Sequence, residues 1–482
     1  MAGGMKQLRR MDTAGLPDDF DLPKHRYGFG VSWDEVPGRP KVDIDLQCVV
    51  VDNSGAIIDC AYYNNLKAVG GVTHSGDETT GASSGIDELV WVMTSKLPES
   101  VALLVFVVAA FKGGQLVDVA NGKLHVLEET TSCEVARFDM ERSTGQVDVV
   151  AAMFRGSNGW TLRIIDEPAR EGQHFMDILD LLAEVIRVFV PTAPRRQKVA
   201  FAMEKGAVMD LPQSMDSITI GLGWDPVASR GSEVDLDVSA VLLDPSGLEV
   251  ETVFFQNLNA KIGGTITHTG DNITGEGEGD DEQITAMLHT IIPRVQQVVF
   301  VINIYSKNVT FREVRNPYCR IVDNACGSEL CRYSLSDAGN ENGLIVAKLG
   351  REQGGRWGFH ALGLPCSGMT YKDSLPRIQQ LCNHDTKLLL QRGGTLDLAS
   401  HASAPSAPPP AASFGNAQPP ATYAPPGYGA PQPGYQPGAP MPRPGVVEEQ
   451  ALRPAHPHIP LGDSRDRGPA WLRALSRVLG CA

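Results

Sequence analysis

Residues 267–284 read THTGDNITGEGEGDDEQI and hold six acids, Asp271, Glu276, Glu278, Asp280, Asp281 and Glu282, around four glycines with no Lys or Arg among them. Carboxylates at this density repel one another and raise each other's pKa. A solvated surface loop tolerates that, and most charge runs are only that. Three features point to sharper chemistry. Gly275, Gly277 and Gly279 alternate with Glu276, Glu278 and Asp280, so an extended chain turns those three carboxylates to one side. The glycines let the backbone bend and present carbonyl oxygens inward. Asp235 and Asp237 stand two residues apart at the head of an apolar run that must enter a core, where two acids are costly without a counter-ion.

A hard divalent cation meets all three conditions. Calcium takes about six to eight oxygens, whereas magnesium keeps more of its waters. Zinc prefers nitrogen and sulfur, and only His268 is close in sequence. Calcium is therefore the expected ion. The spacing is not an EF-hand, because a loop begun at Asp271 would place Ile273 and Gly275 at ligand positions. Nor is it a phosphate loop: no Lys follows in the required place, and six carboxylates would repel a phosphate.

The elements that must position these acids occur twice. The segment from Gly30 matches the segment from Gly221 almost end to end. Trp33-Asp34 pairs with Trp224-Asp225, Asp43 and Asp45 with Asp235 and Asp237, and His74-Ser75-Gly76-Asp77 with His268-Thr269-Gly270-Asp271. In the first copy Ala82, Ser84 and Ile86 stand where the second has Glu276, Glu278 and Asp280, while Asp43, Asp45, Asp77, Asp87 and Glu88 remain. A retained fold with a decayed ion site is the expectation there.

Each copy consists of short apolar or alternating runs bounded by Gly, Asn, Asp or Ser, which predicts a mainly β fold, a two-sheet sandwich per copy. The eleven-residue run VALLVFVVAAF at 101–111 is too short for a membrane helix and reads as a buried strand. Helical spacing follows each copy, at residues 174–190 and, more weakly, 374–391, and each helix is expected to pack on its own sandwich. The resulting division is a degenerate first domain at 6–168, a helix and linker at 169–198, a second domain at 199–365 with the full acidic motif, and a helical extension at 366–395. Residues 396–482 follow as a Pro/Gly/Tyr-rich tail expected to be disordered, because residues 401–445 hold fourteen of the 33 prolines and no acid. The terminal PAWLRALSRVLGCA fits one amphipathic helix, with a peripheral membrane or partner contact and a frayed end both open.

Composition narrows the class of partner. A net charge of −15 argues against nucleic acid, which needs a basic face. Nine cysteines, an odd number without a paired framework, fit a reducing compartment such as the cytoplasm. No apolar leader stands out near the start, and residue 2 is Ala, which does not fit a myristoylation motif.

The motifs GLGWDP, VDLDVSAVLL, HTGDNITGEGEGDDEQI and VVFVINIY together resemble the TerD family of tellurium-resistance and stress proteins, over residues 199–365 and, more weakly, 6–168. The resemblance implies a calcium-binding β-sandwich and a link to tellurite and other stress resistance. It carries the family's ligand positions onto Asp235, Asp237, Asp271, Asn272, Glu276, Glu278, Asp280, Asp281 and Glu282. The leading expectation is a non-catalytic, calcium-binding interaction or signalling module, with the Pro-rich tail open to protein partners. Two other readings stay open: a cyclic-nucleotide sensor, since related eukaryotic proteins have been described as binding cyclic AMP, and a metal-dependent phosphoesterase with His268 or His74 as base.

Overall fold

The computed structural model describes residues 5–382, except 80, 82–84, 132, 141–142, 157–158, 168–169, 196, 226–233, 274–278 and 336–338. The expected tail at 396–482 and the end of the helical extension lie outside the described residues.

Four antiparallel-dominated sheets form two sandwiches. In the first domain one sheet has the strand order Lys6–Gln7, Glu134–Asp139, Val119–Glu128, Arg26–Glu35, Glu88–Met93, Val72–His74 and Lys67–Ala68. The facing sheet runs Phe20–Leu22, Gly159–Ile164, Val147–Gly156, Val101–Lys112, Asp43–Asp52 and Ile57–Ala61. The second domain repeats both, without a counterpart of the Lys67–Ala68 strand among the described residues. Its facing sheet runs Val208–Asp210, Trp357–Cys366, Gly343–Arg351, Gln297–Ile304, Leu236–Leu243 and Glu249–Val253. The apolar run at 101–111 is the strand Val101–Lys112, buried along almost its whole length. β-Branched residues dominate it because both of its faces are covered.

The alternation of strand Leu236–Leu243 explains that double covering. Leu236, Val238, Ala240 and Leu242 point into the sandwich. Val241 and Leu243 point outward into a second cluster with Val299, Ile345, Tyr371 and Ile378. The last two belong to a helix, α2 (Tyr371–Cys382), laid over the sheet's outer face. In the first domain a short 3-10 turn, Phe175–Ile178, leads into α1 (Leu179–Phe189), whose Phe189 packs on Phe154 of the strand Val147–Gly156. Each helix thus covers its own sandwich, as its spacing predicts.

The linker between the domains is built into both. Val199 bridges to Ile57 at the edge of the first domain, and Phe201–Ala202 pairs in parallel with Cys331–Arg332 of the second. Beside it, the edge strand Val208–Asp210 lies on the first domain's outer face. Asn64 donates to Asp210 at 2.6 Å, the Asp210 amide donates to the Tyr62 hydroxyl at 3.1 Å, and Arg356 forks onto Asp177 at 3.1 and 2.6 Å. Arg356 is only 2% exposed.

Candidate metal centre

Asp237 lies on the outward face of the strand Leu236–Leu243 and Asp235 immediately before that strand, both ahead of the helix-covered cluster. Two side chains two residues apart on a strand point the same way. The turn after His268 brings Asp271 to them, and the three carboxylates offer oxygens all within 4.8 Å of one another. Asp237 is buried and Asp235 half-buried, and one oxygen of each, Oδ1, is buried without a hydrogen-bond donor among the described residues. Burial, then the neighbouring Asp235, Glu282 and Asp271, pushes Asp237 up to about 8. Burial, then Asp271 and Glu282, pushes Asp235 up to about 6. Three mutually repelling carboxylates with orphaned buried oxygens fit a hard cation.

The other candidates from the acidic stretch have different places. Glu282 is fully buried and accepts from the Val238 amide at 2.7 Å and the Asn272 amide at 3.3 Å. It clamps the turn to the strand that bears Asp237. Asp281 accepts from the Trp224 amide at 2.8 Å and from the Asn272 side chain at 3.3 Å. Asp280 is not among the converging three. Its carboxylate takes Arg320 in a fork at 2.7 and 3.1 Å and the Tyr318 hydroxyl at 3.0 Å. The counter-charge missing from the acidic stretch therefore comes from a strand some forty residues downstream. Glu276 and Glu278 lie outside the described residues.

His268 is part of the scaffold. Its Nδ1 accepts from the Gly270 amide at 3.0 Å, so the ring hydrogen sits on Nε2, 3.2 Å from the Val238 carbonyl. His74 does the same with Gly76 and Leu46, at 3.1 and 3.0 Å. Each histidine fixes the turn that delivers the third aspartate, and its side chain is fully enclosed.

The first domain keeps more of this centre than its sequence suggests. Asp43, Asp45 and Asp77 offer oxygens within the same 4.8 Å of one another. Asp45 is 1% exposed, and Asp43 Oδ1 and Asp45 Oδ2 have no donor among the described residues. Burial, with Asp77 and Glu88 next, pushes Asp43 up to about 7; burial and Glu88 raise Asp45 well above the ordinary range. Glu88 accepts from the Leu46 amide at 2.7 Å, as Glu282 does from Val238. Of the three replaced acids, only position 86 is described. Ile86 sits over Gly30 as Asp280 sits over Gly221: a Cβ at either glycine would strike it. The residue opposite Gly221 is Arg320, and the residue opposite Gly30 is His125. The acid and its arginine are thus absent together, and the three converging aspartates are kept.

A profile of the TerD domain matches residues 20–177 and again residues 199–375. The chain belongs to the TerD domain family. Among proteins similar to this TerD chain is the tellurium resistance protein TerZ of Serratia marcescens, 36% identical over 188 residues, 37% of this chain and 92% of that protein. Another is the stress response protein SCP2 of Bacillus subtilis, 34% identical over 200 residues, 37% of this chain and 99% of its own. A solved structure of a homologue of the telluride resistance protein TerD from Streptomyces coelicolor is 23% identical, covering 33% of this chain and 95% of its own, with a TM-score of 0.30. In this TerD chain the described residues include no helix long and apolar enough to cross a membrane.

Proposed function

We propose that the protein is a non-catalytic, calcium-binding member of the TerD family that serves a cytoplasmic stress response, with one ion centre in each domain. The observation that carries this reading is the pair of convergent triads, Asp235, Asp237 and Asp271, and Asp43, Asp45 and Asp77, each with buried oxygens that lack donors among the described residues. A divalent ion supplies the positive charge these oxygens need. The stress link follows from relatives named for tellurium resistance and stress response. A hydrolytic reading would draw on His268 or His74, and both rings are held at both nitrogens by the backbone. The six-carboxylate stretch gives a cyclic nucleotide's phosphate no cradle.

Calorimetric titration of the full chain with calcium and with magnesium tests the reading. Calcium heat should appear for two sites and fall to none in the double variant Asp237→Asn, Asp45→Asn. Asp280→Ile with Arg320→His copies the first domain's own solution and should leave both sites intact. Full heat in the first variant, or loss of the second domain's site in the second, would overturn the ligand assignment.

A further inference from the structure

The two domains meet through unlike surfaces, and because the domain is repeated each surface exists twice. The donor is the edge strand Val208–Asp210 with its Asp210 carboxylate. The acceptor is the first domain's outer face around Tyr62, Tyr63 and Asn64. The second domain carries its own acceptor. Ala61 lies opposite Cys48 and Val253 opposite Ala240, so Phe254, Phe255 and Gln256 occupy the places of Tyr62, Tyr63 and Asn64. The first domain carries its own donor. Phe20–Leu22 lies antiparallel to Gly159–Ile164 as Val208–Asp210 lies against Trp357–Cys366, and the repeated Asp-Leu-Pro puts Asp21 where Asp210 stands.

Among the described residues, no hydrogen bond joins either second copy to the other domain, and Phe254 packs on Tyr371 of its own domain, with ring centroids 5.1 Å apart. Next to Phe254 and Phe255 is a cavity of about 120 Å³, also lined by Asn303, Tyr305 and Lys372. Asn303 Oδ1 is buried there without a donor among the described residues, its amide nitrogen being committed to the Gly368 carbonyl at 2.9 Å. Tyr305 is 48% exposed. Leu248 is 59% exposed, whereas Ala56, its counterpart beneath the linker, is 3% exposed. The acceptor exposes the Lys372 ammonium and the neutral amide of Gln256, and the donor exposes Asp21, while Asp237 also lines the cavity.

We propose that the second domain's outer face binds the Asp21 edge of a second copy of this chain, repeating between molecules the contact that joins the two domains within one. Such a contact is heterologous, so it builds a ring of molecules where its rotation closes and an open-ended chain where it does not. It is weaker than the internal one for two reasons. Gly159 stands before Trp160 where Arg356 stands before Trp357, so no buried arginine accompanies Asp21. The internal contact is also tethered by the linker.

Sedimentation of the full chain should show reversible self-association that grows over about 1–100 μM, the range expected without a buried anchor. Asp21→Lys faces Lys372, and Lys372→Glu faces Asp21, so each variant alone should sediment as a monomer. Both side chains are exposed, and an equimolar mixture restores opposite charges at every contact, so association should return. A wild type that stays monomeric throughout, single variants that associate like wild type, or a mixture that stays monomeric would each overturn the proposal.

Discussion

Asp237 shows what the fold imposes on a single side chain. It sits where the strand enters the core, and burial and its acidic neighbours push it up to about 8. Asp43 is pushed to about 7 by burial and Asp77 in the same way. In the unfolded chain both titrate near the ordinary value of about 3.9. A folded pKa above the unfolded one means that the native state holds the extra proton between them. Their contribution to stability is therefore complete below about pH 4 and is lost as pH rises towards about 8. A bound cation requires the deprotonated form, so it reverses that trend and releases protons on binding. Two melting series follow from this. In chelator, these groups should make the protein melt lower at pH 8 than at pH 5.5; with calcium, the loss should shrink or vanish, and affinity should rise over the same interval. A chelated protein with no fall in melting temperature would show that the aspartates are not held protonated.

Strands and helices set which of these residues were legible in sequence. The duplicated run, the alternation at 235–243 and the helical spacing at 174–190 each reflect local periodicity, and each appears in the structure where the pattern puts it. Convergence of Asp235 and Asp237 was readable for the same reason, since two residues apart on a strand is a geometric statement. The partner of Asp280 was not readable. Arg320 reaches it across a strand pairing that no local pattern encodes, and the paired loss of acid and arginine in the first domain shows only once the register places His125 opposite Gly30. Arg356 was missed likewise. Burial alone would raise Asp177, but the Arg356 hydrogen bonds and charge overcome it and hold that carboxyl below the ordinary range. Removing one partner of a buried pair strands the other charge. Arg356→Ala should therefore cost about 3 kcal/mol or more, read as a lower denaturant midpoint. Arg351→Ala, which removes an arginine that donates to the carbonyls of Val295 and Ile291 and stacks 4.3 Å over the Trp357 ring, provides a neutral-acceptor comparison and should cost about 1–3 kcal/mol.

Across the molecule, the ion centres and the domain contact are neighbours. Asp210 reaches over from the second domain, and its charge is among those that raise Asp45 in the first. The contact thus sets a carboxylate of one domain against the acidic triad of the other, in a chain whose net charge is already −15. Opposing carboxylates in a buried setting work against closure unless a proton or a cation offsets them. A divalent ion at Asp43, Asp45 and Asp77 supplies that offset at neutral pH without protonation. Ion binding in the first domain should therefore tighten the seam between domains as well as its own turn. Two backbone amides report on the seam alone: Val208 donates to Asn65 at 3.4 Å and Asp210 to the Tyr62 hydroxyl at 3.1 Å, both across the domain boundary. Their hydrogen exchange should slow when calcium replaces chelator at pH 7.5. The amide of Val299, deep in the second domain's outer sheet, should change only as far as global stability does. In Asp45→Asn the triad cannot hold its ion, and the two seam amides should lose their calcium response while the second domain's site still binds. Seam protection that is the same with and without calcium in the wild type would mean that each domain binds its ion independently of its neighbour.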